Sequence, residues 1–194
     1  QLQILALFYL PRRICYHLLE VARNDKFNRP FWAAYTPQDR AVLCFLRRDD
    51  HVLLIRKKRG LGAGKINGPG GKTESGERPL DAAVRETLEE VGLQPLDPIH
   101  YGTVRFAFTD GYLLEVHIFV ASRWRGTLVE TEEADPFWVT EADIPYEQMW
   151  EDDKWWLPAV LAGDHVEAEM AFDGDEMIMW DLRFASGVRL TGGV

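Results

Sequence analysis

Hydrophobic and polar positions change rhythm several times along the chain, and each change marks an element. AVLCFLRR (41–48) and VLLIRKK (52–58) are dense apolar runs with basic ends. Separated only by Asp49, Asp50 and His51, they predict two strands joined by a short turn. From Pro79 to Val91 the period lengthens: Leu80, Ala83, Val84, Thr87, Leu88 and Val91 share one face at 3.6 residues per turn, which predicts a helix. Pro79 suits its first turn and Gly92 its end. HYGTVRFAF (100–108) and YLLEVHIFV (112–120) predict a hairpin around Thr109, Asp110 and Gly111, and PFWVT (136–140) a short strand. QMWEDDKWWLPAVLAG (148–163) reads as a loop entering a second helix, with Asp152 or Asp153 at the N-cap position. HVEAEMAF (165–172) and EMIMWDLRF (176–184) alternate apolar and polar residues around Asp173, Gly174 and Asp175, a closing hairpin.

Composition narrows the class. The chain has 194 residues, 46% of them hydrophobic, with seven Trp, enough for one core. A net charge of −9 repels the phosphates of long nucleic acid and excludes it as a partner. A small nucleotide is still admissible, because metal ions bridge phosphates to carboxylates. Cys15 and Cys44 form no framework, which suits a reducing, cytoplasmic setting. Residues 1–37 are expected to form an extension that packs on the domain or on a neighbouring copy, with the domain itself spanning 38–194. Gln1–Leu10 is apolar but too short to cross a bilayer, and no membrane association is expected. Oligomeric state leaves no trace in the sequence.

The chemistry concentrates in GKTESGERPLDAAVRETLEEVGL (71–93). On a helix, Glu86, Glu89 and Glu90 lie opposite the apolar face, as neighbours at i, i+3 and i+4. Like charges so placed repel by about 0.2–0.5 kcal/mol per pair, a sign that a hard cation would reverse. Oxygen-only donors point to Mg²⁺, or Mn²⁺, with substrate phosphates completing the shell. Upstream, RGLGAGKINGPGG (59–71) must bend sharply or approach something closely.

Gly71, Glu77, Arg85, Glu86, Glu89, Glu90, Gly92 and Leu93 fit the pattern G-x5-E-x7-R-E-U-x-E-E-x-G-U, so the chain resembles the Nudix hydrolases. Chance odds of the seven fixed positions are on the order of 10⁻⁶. Thr87 stands where the pattern prefers an aliphatic residue, and it is small enough for a buried helix face. The resemblance implies an α/β/α sandwich around a mixed β-sheet, with one helix on each face. Through KKRGLGAGKINGPGGK and MWEDDKWW it extends to the branch that hydrolyses oxidised purine nucleoside triphosphates to monophosphate and pyrophosphate. That branch implies a base-edge role for Asn67, Asp152 and Asp153, and stacking for Trp150. It also implies metal binding by Glu86, Glu89 and Glu90 with a carbonyl of Gly70 or Gly71, a Glu77–Arg85 brace, and an extra carboxylate at Glu133. The general base is a box glutamate or Glu133. Phe106 and Phe108 share a strand face and are candidates for the pocket wall, and Lys57 for holding the nucleotide. Two adjacent carboxyls in a dry pocket do not both ionise easily, so one of Asp152 and Asp153 is expected to be protonated with base bound. Trp155 is expected in the core and His117 in a structural role. Another Nudix substrate, or a sensor without turnover, are the competing readings.

Overall fold

The computed structural model describes residues 26–193; Gln1–Leu10 and Cys15 lie outside them. The two opening runs form β1 (Asp39–Arg48) and β2 (His51–Lys57), turning at Asp49 with φ 55°. β5 (Ile99–Phe108) with β6 (Leu113–Ala121), and β9 (Val166–Asp173) with β10 (Glu176–Phe184), are the expected hairpins. β8 (Ala134–Thr140) starts two residues before PFWVT and pairs along β2. Five short elements carried no signal: α1 (Arg29–Ala33), β3 (Ile66–Asn67), β4 (Leu93–Leu96), β7 (Arg123–Gly126) and β11 (Arg189–Gly193). Too brief or too polar to show a period, the short strands are held by pairing, β4 by distant β7 and β11 by neighbouring β10. The main sheet runs β11-β10-β9-β5-β6-β1-β2-β3, with β8 also on β2. It is mixed, since β1–β6 and β5–β9 are parallel and the other pairs antiparallel.

Alternation along the strands builds two cores. Val42, Cys44 and Leu46 of β1 pack with Leu53, Ile55 and Phe119 against Ala82, Ala83 and Val91 of α2 (Pro79–Val91). Phe45 points the other way, to Trp156, Leu157 and Val160 of α3 (Asp153–Leu161), together with Val104, Ile118 and Phe172. The result is the α/β/α sandwich. Phe27 and Trp32, within the segment expected to be an extension, are buried against Ala107, Ala171 and Ile178, and Tyr35 Oη donates to Phe106 O at 3.1 Å.

α2 begins and ends where its pattern indicates, but its buried face differs. Leu80 and Leu88 are 39% and 45% exposed, whereas Glu90 is only 2% exposed. The face toward the sheet runs through Ala82, Ala83, Thr87, Glu90 and Val91, about a quarter turn from the apolar stripe. Small Ala side chains let the helix approach the sheet closely, and Glu90 is tolerated inside because it has polar partners. Thr87 is buried and satisfies its hydroxyl by donating to Ala83 O at 2.7 Å. Gly92 stops the helix at φ 72°, its N–H bonded to Leu88 O, a left-handed cap that glycine adopts without strain. A second correction concerns Trp155. It is 39% exposed and stacks on Trp180 at 6.2 Å, because α3 turns Trp156 inward in its place.

Candidate active site

A cavity of about 450 Å³ opens between the end of α2 and the start of α3, floored by β1, β5 and β6. Its two ends are chemically distinct.

At one end the Gly70–Gly71 turn meets the carboxylates of α2. Glu90 Oε2 accepts from Gly70 N–H at 2.8 Å and its Oε1 from Lys57 Nζ at 3.3 Å. Desolvation pushes the Glu90 carboxyl up, with the Lys57 cation opposing, and burial does the same to Glu86. Glu86 packs so closely on Gly71 that any Cβ there would overlap its carboxylate. Arg85 is the hub: it reaches Glu77 with two nitrogens at 2.9 and 2.8 Å, Glu86 at 2.7 Å, Glu89 at 3.1 Å and the Lys72 carbonyl at 3.1 Å. The guanidinium holds the Glu77 carboxyl down at about 2, so the brace is ionised at any physiological pH. Glu133 lies at the mouth, ion-paired with Arg59.

At the other end the loop before α3 folds Asp152 and Asp153 inward. Asp152 Oδ2 accepts from Trp156 Nε1 at 2.8 Å, and Asp153 Oδ2 from Trp150 N–H at 3.1 Å. Asp152 stands at the N-cap position of α3, yet its side chain makes no cap bond, and both residues are 2% exposed rather than on a solvated turn. Burial pushes Asp152 up to about 6; burial and the neighbouring Asp152 push Asp153 well above its usual value. Among the described residues, Asp152 Oδ1 is buried without a hydrogen-bond partner. Asn67 lines the same end, its Oδ1 fixed by Gly68 N–H at 2.8 Å, which leaves its NH₂ to donate elsewhere. Trp150, Phe106, Phe108 and Phe172 form the aromatic wall. Phe106 and Phe108 point into the cavity while Ala107 between them packs in the cluster of Phe27 and Trp32.

The sequence-predicted residues thus gather in one cavity, except that exposed Glu89 and the braces Glu77 and Arg85 are outside its lining. His117 lies elsewhere, 3.4 Å from His100 and 3.6 Å from Glu115. Sequence reasoning missed Arg59, Leu61, Lys72 and Tyr112 in the lining, and the donor role of Trp156. Nothing in local pattern marks them: Tyr112 and Lys72, 40 residues apart, are brought together by the fold, with Asp39 accepting from both at 2.8 and 2.6 Å and the Lys72 ammonium 5.7 Å from the Tyr112 ring centre.

Glu86, Glu89 and Glu90 offer oxygen only, as a hard divalent cation requires. Among the described residues no three acidic, His or Cys side chains close a cage of their own. Their oxygens instead lie against Arg85 and Lys57, so the buried carboxylates already attract positive charge. The arrangement fits an ion shared with phosphate oxygens. Nor is any described helix long and apolar enough to cross a membrane.

The NUDIX domain family model matches residues 37–160. The chain is 43% identical over 140 residues to the oxidized purine nucleoside triphosphate hydrolase of Danio rerio, covering 71% of this chain and 89% of that protein. With the Mus musculus protein of the same name it shares 40% over 145 residues, covering 73% and 92%. The crystal structure of a MutT protein from Bacillus halodurans superposes with a TM-score of 0.68 at 26% identity, covering 77% of this chain and 99% of that one.

Proposed function

The chain belongs to the Nudix family, and from that premise we propose that it hydrolyses oxidised purine nucleoside triphosphates, of the 8-oxo-dGTP and 2-oxo-dATP kind, to monophosphate and pyrophosphate. The observation that carries the reading is the unpartnered Asp152 Oδ1, buried at the aromatic end of the cavity whose other end holds Glu86 and Glu90. An orphaned buried polar atom is unfavourable unless a ligand group meets it. A purine edge between Asn67, Asp152 and Asp153, stacked on Trp150, does so; stacking is worth about 1–3 kcal/mol per base. A site built on hydrogen bonds rejects analogues lacking the matching group.

With both carboxyls pushed upward, one of the pair is proposed to stay protonated when base is bound. It then donates while its neighbour accepts, and exchanging the proton lets one pocket read two oxidised bases. At the other end Mg²⁺ is the proposed ion, held by Glu86, Glu89, Glu90 and the Gly70 carbonyl, since that of Gly71 already accepts from Val42 N–H at 2.9 Å. When bound it screens the phosphate oxygens, acidifies water and stabilises the leaving pyrophosphate. Arg85 and Glu77 hold the turn against α2, Lys57 orients Glu90 and stands toward the nucleotide, and Glu133 brings a further carboxylate from outside the box. The proposed setting is the cytosol, in keeping with the buried free thiol of Cys44.

Pyrophosphate release from normal and oxidised triphosphates tests this, with Mg²⁺ present or chelated. Oxidised purines should be preferred, chelation should abolish release, and Mg²⁺ should restore it. No turnover of any purine triphosphate would remove the reading. In parallel, the pH profiles of kcat/KM for Asp152→Asn and Asp153→Asn should depart from the parent.

A further inference from the structure

We propose that Lys65 and Asp175 form a clamp on the outer face of Trp150, making Lys65 a positioning residue for base recognition. This rests on the purine reading above and adds to it the support of the stacking ring.

Lys65 Nζ lies 4.8 Å from the centre of the Trp150 ring and 3.0 Å from Asp175 Oδ2. The position of the cation relative to the cavity follows from the linings of two separate concave surfaces. Trp150 lines the 450 Å³ cavity and Lys65 does not. Lys65 instead lines a separate cleft of about 220 Å³, with Asp175, Glu151 and Tyr146. The indole thus belongs to the wall of the cavity, while the ammonium over its ring stands outside that lining, toward the proposed outer face. Phe172 meets the ring edge-on at 6.0 Å and 86°. Gly62 closes a third side, where an added Cβ would lie 3.0 Å from Trp150 Nε1. Backbone bonds pin the loop, since Lys65 N–H donates to Gly62 O at 2.9 Å and Lys65 O accepts from Lys57 N–H at 3.0 Å.

An exposed ion pair of this kind contributes little to stability by itself. Its consequence is geometric, because Asp175 belongs to the β9–β10 turn and ties that turn to the glycine-rich loop across the back of the ring. It is also electrostatic. Asp153 is faced by Asp152 on α3, by the Trp150 N–H, by Tyr146 on the preceding turn and by Lys65, the cation that opposes its upward displacement. Removing the charge while keeping the chain should loosen the stacking ring and raise the pH at which Asp153 ionises.

Steady-state hydrolysis of 8-oxo-dGTP by the full chain tests the clamp with three variants. Lys65→Met keeps the length and apolar cover of the side chain without its charge, Lys65→Arg keeps the charge, and Asp175→Asn releases the tether. Lys65→Met should raise KM by about 3–10-fold, in line with one cation–π contact, with kcat within about twofold. Its kcat/KM profile should move to higher pH. Lys65→Arg should restore both, and Asp175→Asn should show a smaller change in the same direction. Unchanged KM and pH profile in Lys65→Met overturns the clamp, and so does an Arg variant as impaired as the Met one. A parent that hydrolyses no purine triphosphate overturns the functional reading itself, an outcome distinct from a parent that is active and a Met variant that matches it.

Discussion

Replacing Asp152 by Asn should change how stability depends on pH, by an amount the structure lets one estimate. In the unfolded chain this carboxyl ionises near 3.8; in the folded protein burial raises it to about 6. Between those values the folded state holds a proton that the unfolded state has lost, so stability falls as pH rises through the window and levels off above it. A displacement of about 2 units corresponds to roughly 3 kcal/mol at pH 8. About half of that is already present at pH 5, where the unfolded group is ionised and the folded one is not. From pH 5 to pH 8 the parent should therefore lose at least about 1 kcal/mol more than Asp152→Asn, because the substitution also removes the charge that helps raise Asp153. Asn retains an oxygen for Trp156 Nε1, the 2.8 Å contact that Asp152 makes, so packing stays comparable. Urea unfolding of both proteins at the two pH values measures the difference. Parallel stability curves would refute the argument, because they would mean that the Asp152 carboxyl is not held in a dry environment.

Trp156→Phe keeps most of the buried ring but removes the donor to Asp152; unfolding free energy should fall by about 1–3 kcal/mol, measured by the same urea titration. On α2, Leu88→Ser should change stability by less than about 0.5 kcal/mol, whereas Ala82→Leu, at a position buried here but off the apolar stripe, should overpack the sheet contact at about 1–3 kcal/mol. Thermal unfolding of the pair tells the observed buried face from the one the periodicity predicts. Glu90→Gln should leave the fold intact, since Gln retains an acceptor for Gly70 N–H, while pyrophosphate release under saturating Mg²⁺ falls at least about 100-fold.

Much of the fold was legible because its long elements obey simple periods. Strands β1, β2, β5, β6, β9 and β10 and helices α2 and α3 appear close to where apolar rhythm and punctuation placed them. Legibility failed where a side chain's setting depends on partners far along the chain. Glu90 reads as a metal-binding carboxylate on the face opposite the apolar stripe, and only the arrival of Lys57 and the Gly70 N–H explains its burial against the sheet. Trp155 and Trp156 are indistinguishable as neighbours; the packing of α3 on the sheet turns the second inward and leaves the first stacked outside on Trp180.

The sequence by itself determined the spacing of the acidic motif and with it the family and the kind of reaction, because i, i+3 and i+4 carboxylates are neighbours on any helix. It also placed Asn67 and the Trp150–Asp153 loop as candidates for the base end. Only the tertiary structure decided that these segments, some 85 residues apart, share one cavity with the carboxylates, that both aspartates are dry, and that one of their oxygens lacks a partner among the described residues. Burial and hydrogen-bond satisfaction are properties of an environment assembled from β1, β5, β6, α2 and α3 together, and no local stretch of chain contains that environment.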